Sequence, residues 1–462
     1  MSILRTTTKR PDAAKVRPLG PAPRMTPLPD EWRPETLAIS KLRDEGEAQL
    51  VSRIHARLAA TLGRSIDTAA PDSLRALLSE AFPAALDEER VVLNRTDRLR
   101  LQDAVFAEVV GYGPLQDLLL DDSYSEVMVN GPKQVWVEKD GKLFRTDITF
   151  TDAEHVIRVI QRIVSPLGRR CDESSPMVDA RLPDGSRVNA IIPPLSLIGP
   201  TLTIRKFRRV PFASTDLLRN ETVTAEALQF LATCVRGRLN IIVAGGSGAG
   251  KTTLMNTLSN YVSGRERIVT IEDAAELQLQ QEHVLPLETR PPNAEGRGEV
   301  GVRELFRNAL RMRPDRVIIG ECRGPEALDM LQAMNTGHDG SLTTIHANGP
   351  RDALSRIETM VLTGGAELPL HAIREQIVSA IDLVCYVERM QDGTRKITQI
   401  SEVRGLEGEV VTMQDIFTFV NDGLHDGKVM GELKPTGIRP SFADRLTARG
   451  LELPSNWFGY QA

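Results

Sequence analysis

Gly245-Gly246-Ser247-Gly248-Ala249-Gly250-Lys251-Thr252 fits the pattern Gly-x-x-x-x-Gly-Lys-[Ser/Thr]. Ahead of it, Leu239-Asn240-Ile241-Ile242-Val243-Ala244 is a short apolar run suited to a buried strand. Behind it, Thr253-Leu254-Met255-Asn256-Thr257-Leu258 continues without a breaker, as a helix would. A strand, a glycine loop and a helix in that order make a cradle for phosphate. The glycines let successive backbone N–H groups turn inward, and the helix start adds unpaired N–H groups and a partial positive charge. Lys251 is expected to reach the β- and γ-phosphates, and the Thr252 hydroxyl to sit on Mg²⁺. The expected nucleotide contacts are Gly245, Gly246, Ser247, Gly248, Ala249, Gly250, Lys251, Thr252 and Thr253.

A chain of 462 residues exceeds one compact domain and suggests two to four. With 41% hydrophobic but only 4% aromatic residues, its cores must be mainly aliphatic. A net charge of −5 argues against a general nucleic-acid binder. Cys171, Cys234, Cys322 and Cys385 are too far apart for a Cys-x-x-Cys zinc or redox motif, and read as buried thiols in a reducing compartment. No apolar run reaches membrane-spanning length, and no signal-peptide core stands at the N-terminus. The expectation is a cytoplasmic protein that meets a membrane only through partners.

Residues 1–34, rich in proline and basic side chains, read as a disordered arm. Residues 35–112 read as a helical module. Leu50, Ile54, Leu58 and Leu62 line one helix; Asp72 and Ser73 cap a second with Leu74, Leu77 and Leu78; a third follows Thr96 with Leu101, Val105 and Val109. From 113 to 210 the pattern is α+β, with hairpin turns at Asp140-Gly141 and Pro183-Asp184-Gly185. A linker at 211–223 leads to the loop-bearing domain at 224–432. Its strands, expected at 239–244, 268–272, 316–320, 341–345 and 383–387, alternate with helices, which implies a largely parallel sheet. Residues 433–462 read as a polar C-terminal tail.

Phosphate loops serve many chemistries, so companion motifs must decide. Arg316-Val317-Ile318-Ile319-Gly320-Glu321 is a strand running into a carboxylate, and Ile268-Val269-Thr270-Ile271-Glu272-Asp273 is another, with Glu276 beyond it. Such strands deliver acids to Mg²⁺ or to an attacking water. Against this, the first also reads as an ordinary strand with a surface Glu, and the second as a helix start capped by Asp273. Gly337-His338-Asp339-Gly340-Ser341-Leu342-Thr343-Thr344-Ile345-His346 brackets a strand with two histidines. No third or fourth ligand is spaced to make them a zinc site. They read either as γ-phosphate sensors or as satisfied structural histidines. Arg187, Arg205, Arg307, Arg311, Arg313 and Arg323 are candidates for an arginine that completes the site.

These four boxes together resemble the Walker A, Asp, Walker B and His boxes of the secretion ATPases, which power type II and type IV secretion, type IV pili and archaeal filaments. Ser125-Glu126-Val127-Met128-Val129-Asn130-Gly131-Pro132, with no Cys-x-x-Cys insert, resembles the CpaF/TadA branch that serves Flp-type (tight-adherence) pili. The resemblance implies an α/β fold. A RecA-like P-loop NTPase domain would follow a PAS-like α+β domain and the small helical module, in a cytoplasmic homohexameric ring with ATP between the two larger domains. It implies Glu272 as the water-activating residue, Glu321 holding Mg²⁺ (through water) alongside Thr252, Arg187 and Arg205 at the γ-phosphate, and His338 and His346 in the His box. The implied function is ATP-driven assembly of a type IV-like (Flp/Tad) pilus on inner-membrane platform proteins, with retraction left open. Alternatives are a type IV secretion traffic ATPase and a RecA-like nucleic-acid translocase; the latter needs a basic, aromatic-bearing channel.

Overall fold

The computed structural model describes residues 35–40, 42, 45–63, 71–207, 213–292, 297–365 and 367–458. The expected arm at 1–34 lies outside them. Helices Glu45–Leu62, Pro71–Glu88 and Arg95–Val109 form the N-terminal module, packed through Leu50, Ile54, Leu58, Leu78, Phe82, Leu101 and Val105. The second helix starts at Pro71, ahead of the expected cap, because proline suits a first helical turn. Leu77, expected to face inward, is exposed. The third helix is capped by Asn94, two residues before Thr96; its extended backbone lets Oδ1 accept from Asp97 N at 2.8 Å.

The middle domain carries strands β1 (Thr36–Leu37), β2 (Tyr124–Asn130), β3 (Val135–Lys139), β4 (Lys142–Thr146), β5 (Met177–Arg181), β6 (Arg187–Ile191) and β7 (Thr201–Arg205). They form one sheet in the order β1-β4-β3-β2-β7-β6-β5. Thr36 and Leu37, expected in the helical module, instead extend this sheet beside β4, and Asp147 Oδ1 accepts from Ile39 N at 2.7 Å. Helix Ala153–Val164 covers the sheet with Val156, Val159, Ile160 and Ile163. The β3–β4 turn has Asp140 at φ 50° and Gly141 at φ 76°, the left-handed pair that a two-residue hairpin requires.

The C-terminal domain carries β8 (Ile241–Gly245), β9 (Ile268–Glu272), β10 (Val284–Glu288), β11 (Arg316–Ile319), β12 (Leu342–His346), β13 (Leu383–Arg389), β14 (Arg395–Glu407), β15 (Val410–His425) and β16 (Lys428–Pro435). Their order is β10-β9-β11-β12-β8-β13-β14-β15-β16. Strands β8 to β13 run parallel and β14 to β16 antiparallel. Along β8, Ile241 and Val243 enter one core while Ile242 and Ala244 enter the other. Burial on both faces explains why this strand reads as a continuous apolar run.

Two sequence expectations change here. The segment expected as a linker contains helix Ser214–Arg219, with Leu217 buried in the core of this domain. The expected polar tail is also structured. β16 extends to Pro435, and Phe442, Leu446, Trp457 and Phe458 join the core that contains Phe230 and Phe417. The Phe230 and Phe417 ring centroids lie 5.2 Å apart. Each such side chain removed from water contributes about 1.5–3 kcal/mol, enough to fix the segment in place. Prolines and polar residues between these rings hide any periodicity. Among the described residues, no helix is long and apolar enough to cross a membrane.

Candidate functional site

The parallel register sets β9, β11, β12 and β8 side by side, so their carboxyl ends form one row. That row carries Glu272, then Glu321 just past β11, then His346, then Gly245, where the phosphate loop begins. Motifs spread over residues 245–346 thus meet on one edge, where ligands of open α/β sheets bind. Gly248 at φ 67° and Gly250 at φ 98° give the loop its inward turn, and Gly250 caps helix Lys251–Ser259. Lys251 Nζ donates to Gly245 O at 3.1 Å and Gly246 O at 2.8 Å, folded back across the loop. Burial lowers its pKa, with Glu321 opposing the shift and Arg323 and Arg205 adding to it.

Glu272 is 4% exposed. Burial pushes its carboxyl up to about 7, although its oxygens accept from Glu276 N at 2.7 Å and Leu277 N at 3.0 Å, which works the other way. Gly320 packs so closely on this side chain that a Cβ there would stand 2.7 Å from Glu272 Cγ. Thr344 Oγ1 donates to Gly320 O at 2.6 Å, tying β12 to the turn that presents Glu321. Glu321 itself is held by Arg323, which also lies 3.6 Å from Asp273.

The middle domain closes over this edge. From β6, Arg187 Nη2 donates to Ala274 O at 3.0 Å, and Arg187 Nε pairs with Glu276 Oε1. Arg205, at the end of β7, faces a cleft of about 380 Å³ whose opposite wall includes Ser247 and Gly248 of the phosphate loop. Glu126, its neighbour on β2, holds Arg205 Nε at 2.7 Å and, against the cost of burial, raises its pKa. Both expected arginines therefore face the nucleotide domain of their own chain.

Sequence reasoning missed several members. Arg181 binds Glu288 and Ala275 O. It lies opposite Arg187 in the β5–β6 hairpin, so the turn at Asp184-Gly185 already implied the pairing. Arg389 and Arg395, on β13 and β14, line the cleft as well; with β14 unforeseen, no sequence signal placed them.

His338 stands apart from the cradle of its own chain. It precedes the amino end of β12, whereas the cradle lies at the carboxyl end, at least ~13 Å away along the strand at 3.3 Å per residue. The space at Gly340 is filled by the buried Arg316 guanidinium, whose Nη1 donates to Gly340 O at 3.1 Å. His346, by contrast, pairs in register with Gly245. Arg307 is committed to Asp329, at 2.9 Å.

Magnesium is the ion that the phosphate loop implies. Among the described residues no group of three His, Cys, Asp or Glu could hold a metal unaided. Thr252 and Glu321 carry oxygen donors of the kind that Mg²⁺ takes alongside phosphate oxygens and water. The residues present fit it.

Residues 108–412 match the family model described as type II/IV secretion system protein, and residues 48–110 match that of the type II secretion system protein E N-terminal domain. The chain belongs to the type II/IV secretion system protein family. A putative conjugal transfer protein of Mycobacterium tuberculosis is 38% identical over 325 residues, 69% of this chain and 92% of that protein. Type IV secretion system protein PtlH of Bordetella pertussis is 36% identical over 309 residues, 60% of this chain and 89% of that protein. The VirB11 ATPase structure from Brucella suis is 29% identical, covering 62% of this chain and 91% of that one, with a TM-score of 0.35.

Proposed function

We propose that the protein is a homohexameric motor on the cytoplasmic side of the inner membrane. It would spend ATP on assembling a Flp/Tad-type pilus through platform proteins in that membrane. The observation that carries the motor reading is the loop at 273–277. Its backbone N–H groups hold the Glu272 carboxylate, and its Ala274 carbonyl and Glu276 carboxylate are held by Arg187 of the other domain. Movement of the middle domain therefore acts on the acid placed to activate water.

In this reading Lys251 leaves its carbonyl partners for the phosphates, and the amides of residues 248–253 line the cradle. Arg187 and Arg205 exchange carboxylates for the γ-phosphate, which draws the domains together. Glu272 accepts the proton of the attacking water, for which a pKa near 7 is suited. His346, beside Gly245, senses the terminal phosphate. Thr252 and Glu321 would hold magnesium, which offsets phosphate charge when bound. Loss of the γ-phosphate returns Arg187 to Glu276 and Arg205 to Glu126, and the cleft beside Arg205 reopens.

Phosphate release from ATP by the purified chain, compared with Lys251→Ala, tests the enzymatic core; wild-type release no greater than the variant's sinks it. Type IV secretion traffic is the second reading, favoured by the names of the M. tuberculosis and B. pertussis relatives. Deleting the gene in its source cell separates the two. Loss of surface pili supports the pilus motor, and loss of DNA or effector export supports the traffic ATPase.

A further inference from the structure

The arginines around the interdomain cleft divide into two kinds. Arg187, Arg205 and Arg323 each have a carboxylate partner, in Glu276, Glu126 and Glu321. Arg389 and Arg395 have none within ion-pair distance among the described residues. They are directly opposed across β13 and β14, a placement in which like charges repel. Burial, followed by the Arg389 charge, disfavours the Arg395 cation.

Both guanidiniums are anchored on backbone. Arg395 Nε donates to Gly248 O of the phosphate loop at 2.9 Å, and its Cδ packs where a Gly250 Cβ would stand, at 3.3 Å. Arg389 Nη2 donates to Gly141 O, at the tip of the β3–β4 hairpin in the middle domain. Each anchor uses one of a guanidinium's five N–H donors. Glu138 lines the same cleft and favours the Arg395 cation from a distance, but neither guanidinium has a carboxylate in ion-pair contact, so this pair at the rim of a phosphate cradle makes a site that an anion would relieve. The planar fork of a guanidinium matches phosphate oxygens two at a time.

We propose that Arg389 and Arg395 form a second cationic wall of the nucleotide site and contact the polyphosphate chain held by the phosphate loop of the same subunit. Arg389 links that contact to the middle domain, since a phosphate oxygen competes with Gly141 O for its donors. The assignment rests on reading residues 245–252 as a nucleoside-triphosphate cradle.

Inorganic tripolyphosphate is the probe, because it binds whether or not the chain turns over ATP. Calorimetric titration of the full-length chain and of Arg389→Gln/Arg395→Gln should show affinity at least about tenfold weaker in the variant. The variant's unliganded melting temperature should match wild type, since both side chains are anchored only on rim carbonyls. If the double variant does not fold, Arg389→Gln alone is titrated and should still weaken binding measurably. Unchanged affinity in the folded variant overturns the proposal while leaving ATP turnover by the wild type intact. A wild-type chain that binds tripolyphosphate but releases no phosphate from ATP would instead remove the ATPase reading, and the comparison of variants would still decide the arginine pair.

Discussion

Arg187 Nε stands 3.1 Å from Glu276 Oε1 across the domain boundary, yet off the line of a hydrogen bond, so the contact is a loose ion pair. Such a pair yields readily to a better-placed acceptor. Arg205 differs: within the middle domain its Nε donates to Glu126 Oε1 at 2.7 Å.

Replacing both arginines, Arg187→Gln/Arg205→Gln, should therefore lower ATP turnover by about 10³-fold, as loss of an arginine finger does. Nucleotide affinity should stay within about tenfold of wild type, because the cradle amides and Lys251 remain. Both pairs are partly exposed, so each contributes about 1 kcal/mol or less to stability, and the melting temperature should barely move. Steady-state phosphate release with parallel fluorescent-nucleotide binding checks this; unchanged turnover rejects the arginine assignment.

The elevated Glu272 pKa gives the rate a shape. If the carboxylate must be ionised to accept a proton from water, turnover at saturating ATP should fall on the acid side with an apparent pKa near 7. Glu272→Gln should retain ATP and hydrolyse it at least about 10²-fold more slowly. A flat rate between pH 6 and 8 by stopped-time phosphate assay would count against Glu272 as the base.

The same shift acts on stability in the opposite sense to a salt-bridged acid. A folded-state pKa of about 7, above the ordinary 4.5, means that the native state holds this proton more tightly than the unfolded chain. Its stabilising share is complete below about pH 4.5 and is lost as pH rises through about 7, by roughly 3 kcal/mol in all. Denaturant unfolding of wild type and Glu272→Gln from pH 5 to 8 should show the difference between them growing with pH in favour of the variant.

The legible part of this molecule is the part buried on both faces. β8, β9, β11 and β12 are short apolar runs between breakers, and the acids and glycines at their ends announced the site edge. β10 escaped because Pro286 lies within it, tolerable only on the outermost strand. β14 to β16 escaped because their charged, half-exposed sequences and bulges blur any alternation. Arg395 was lost with them, and Arg389 with the last two residues of β13, which lie past the expected end at 387. From local pattern alone Arg187 and Arg205 were legible only as residues near turns and strand ends of one domain, and only the family resemblance set them at the γ-phosphate; that they face the loop after Glu272 and the phosphate loop is a property of domain packing, which no local pattern encodes.

His338 and His346 share one sequence box but stand at opposite ends of β12, and this difference can be measured. His338 is fixed by its backbone: its N–H donates to Ala333 O at 3.2 Å, and its carbonyl accepts from Ser341 Oγ at 2.9 Å. Its Nδ1 is buried without a hydrogen-bond partner, so truncating the ring removes no polar contact through that atom. His338→Ala should leave turnover within about twofold of wild type, a change worth under 1 kcal/mol on the barrier. His346 adjoins Gly245, and the next residue, Ala347, donates its N–H to Gly245 O at 3.2 Å. His346→Ala should reduce turnover by about tenfold or more, equal to 1.4 kcal/mol or more. Phosphate release by the two variants, each with a wild-type melting temperature, decides the matter. Equal losses would mean that the box acts as one unit and that strand position does not separate its histidines.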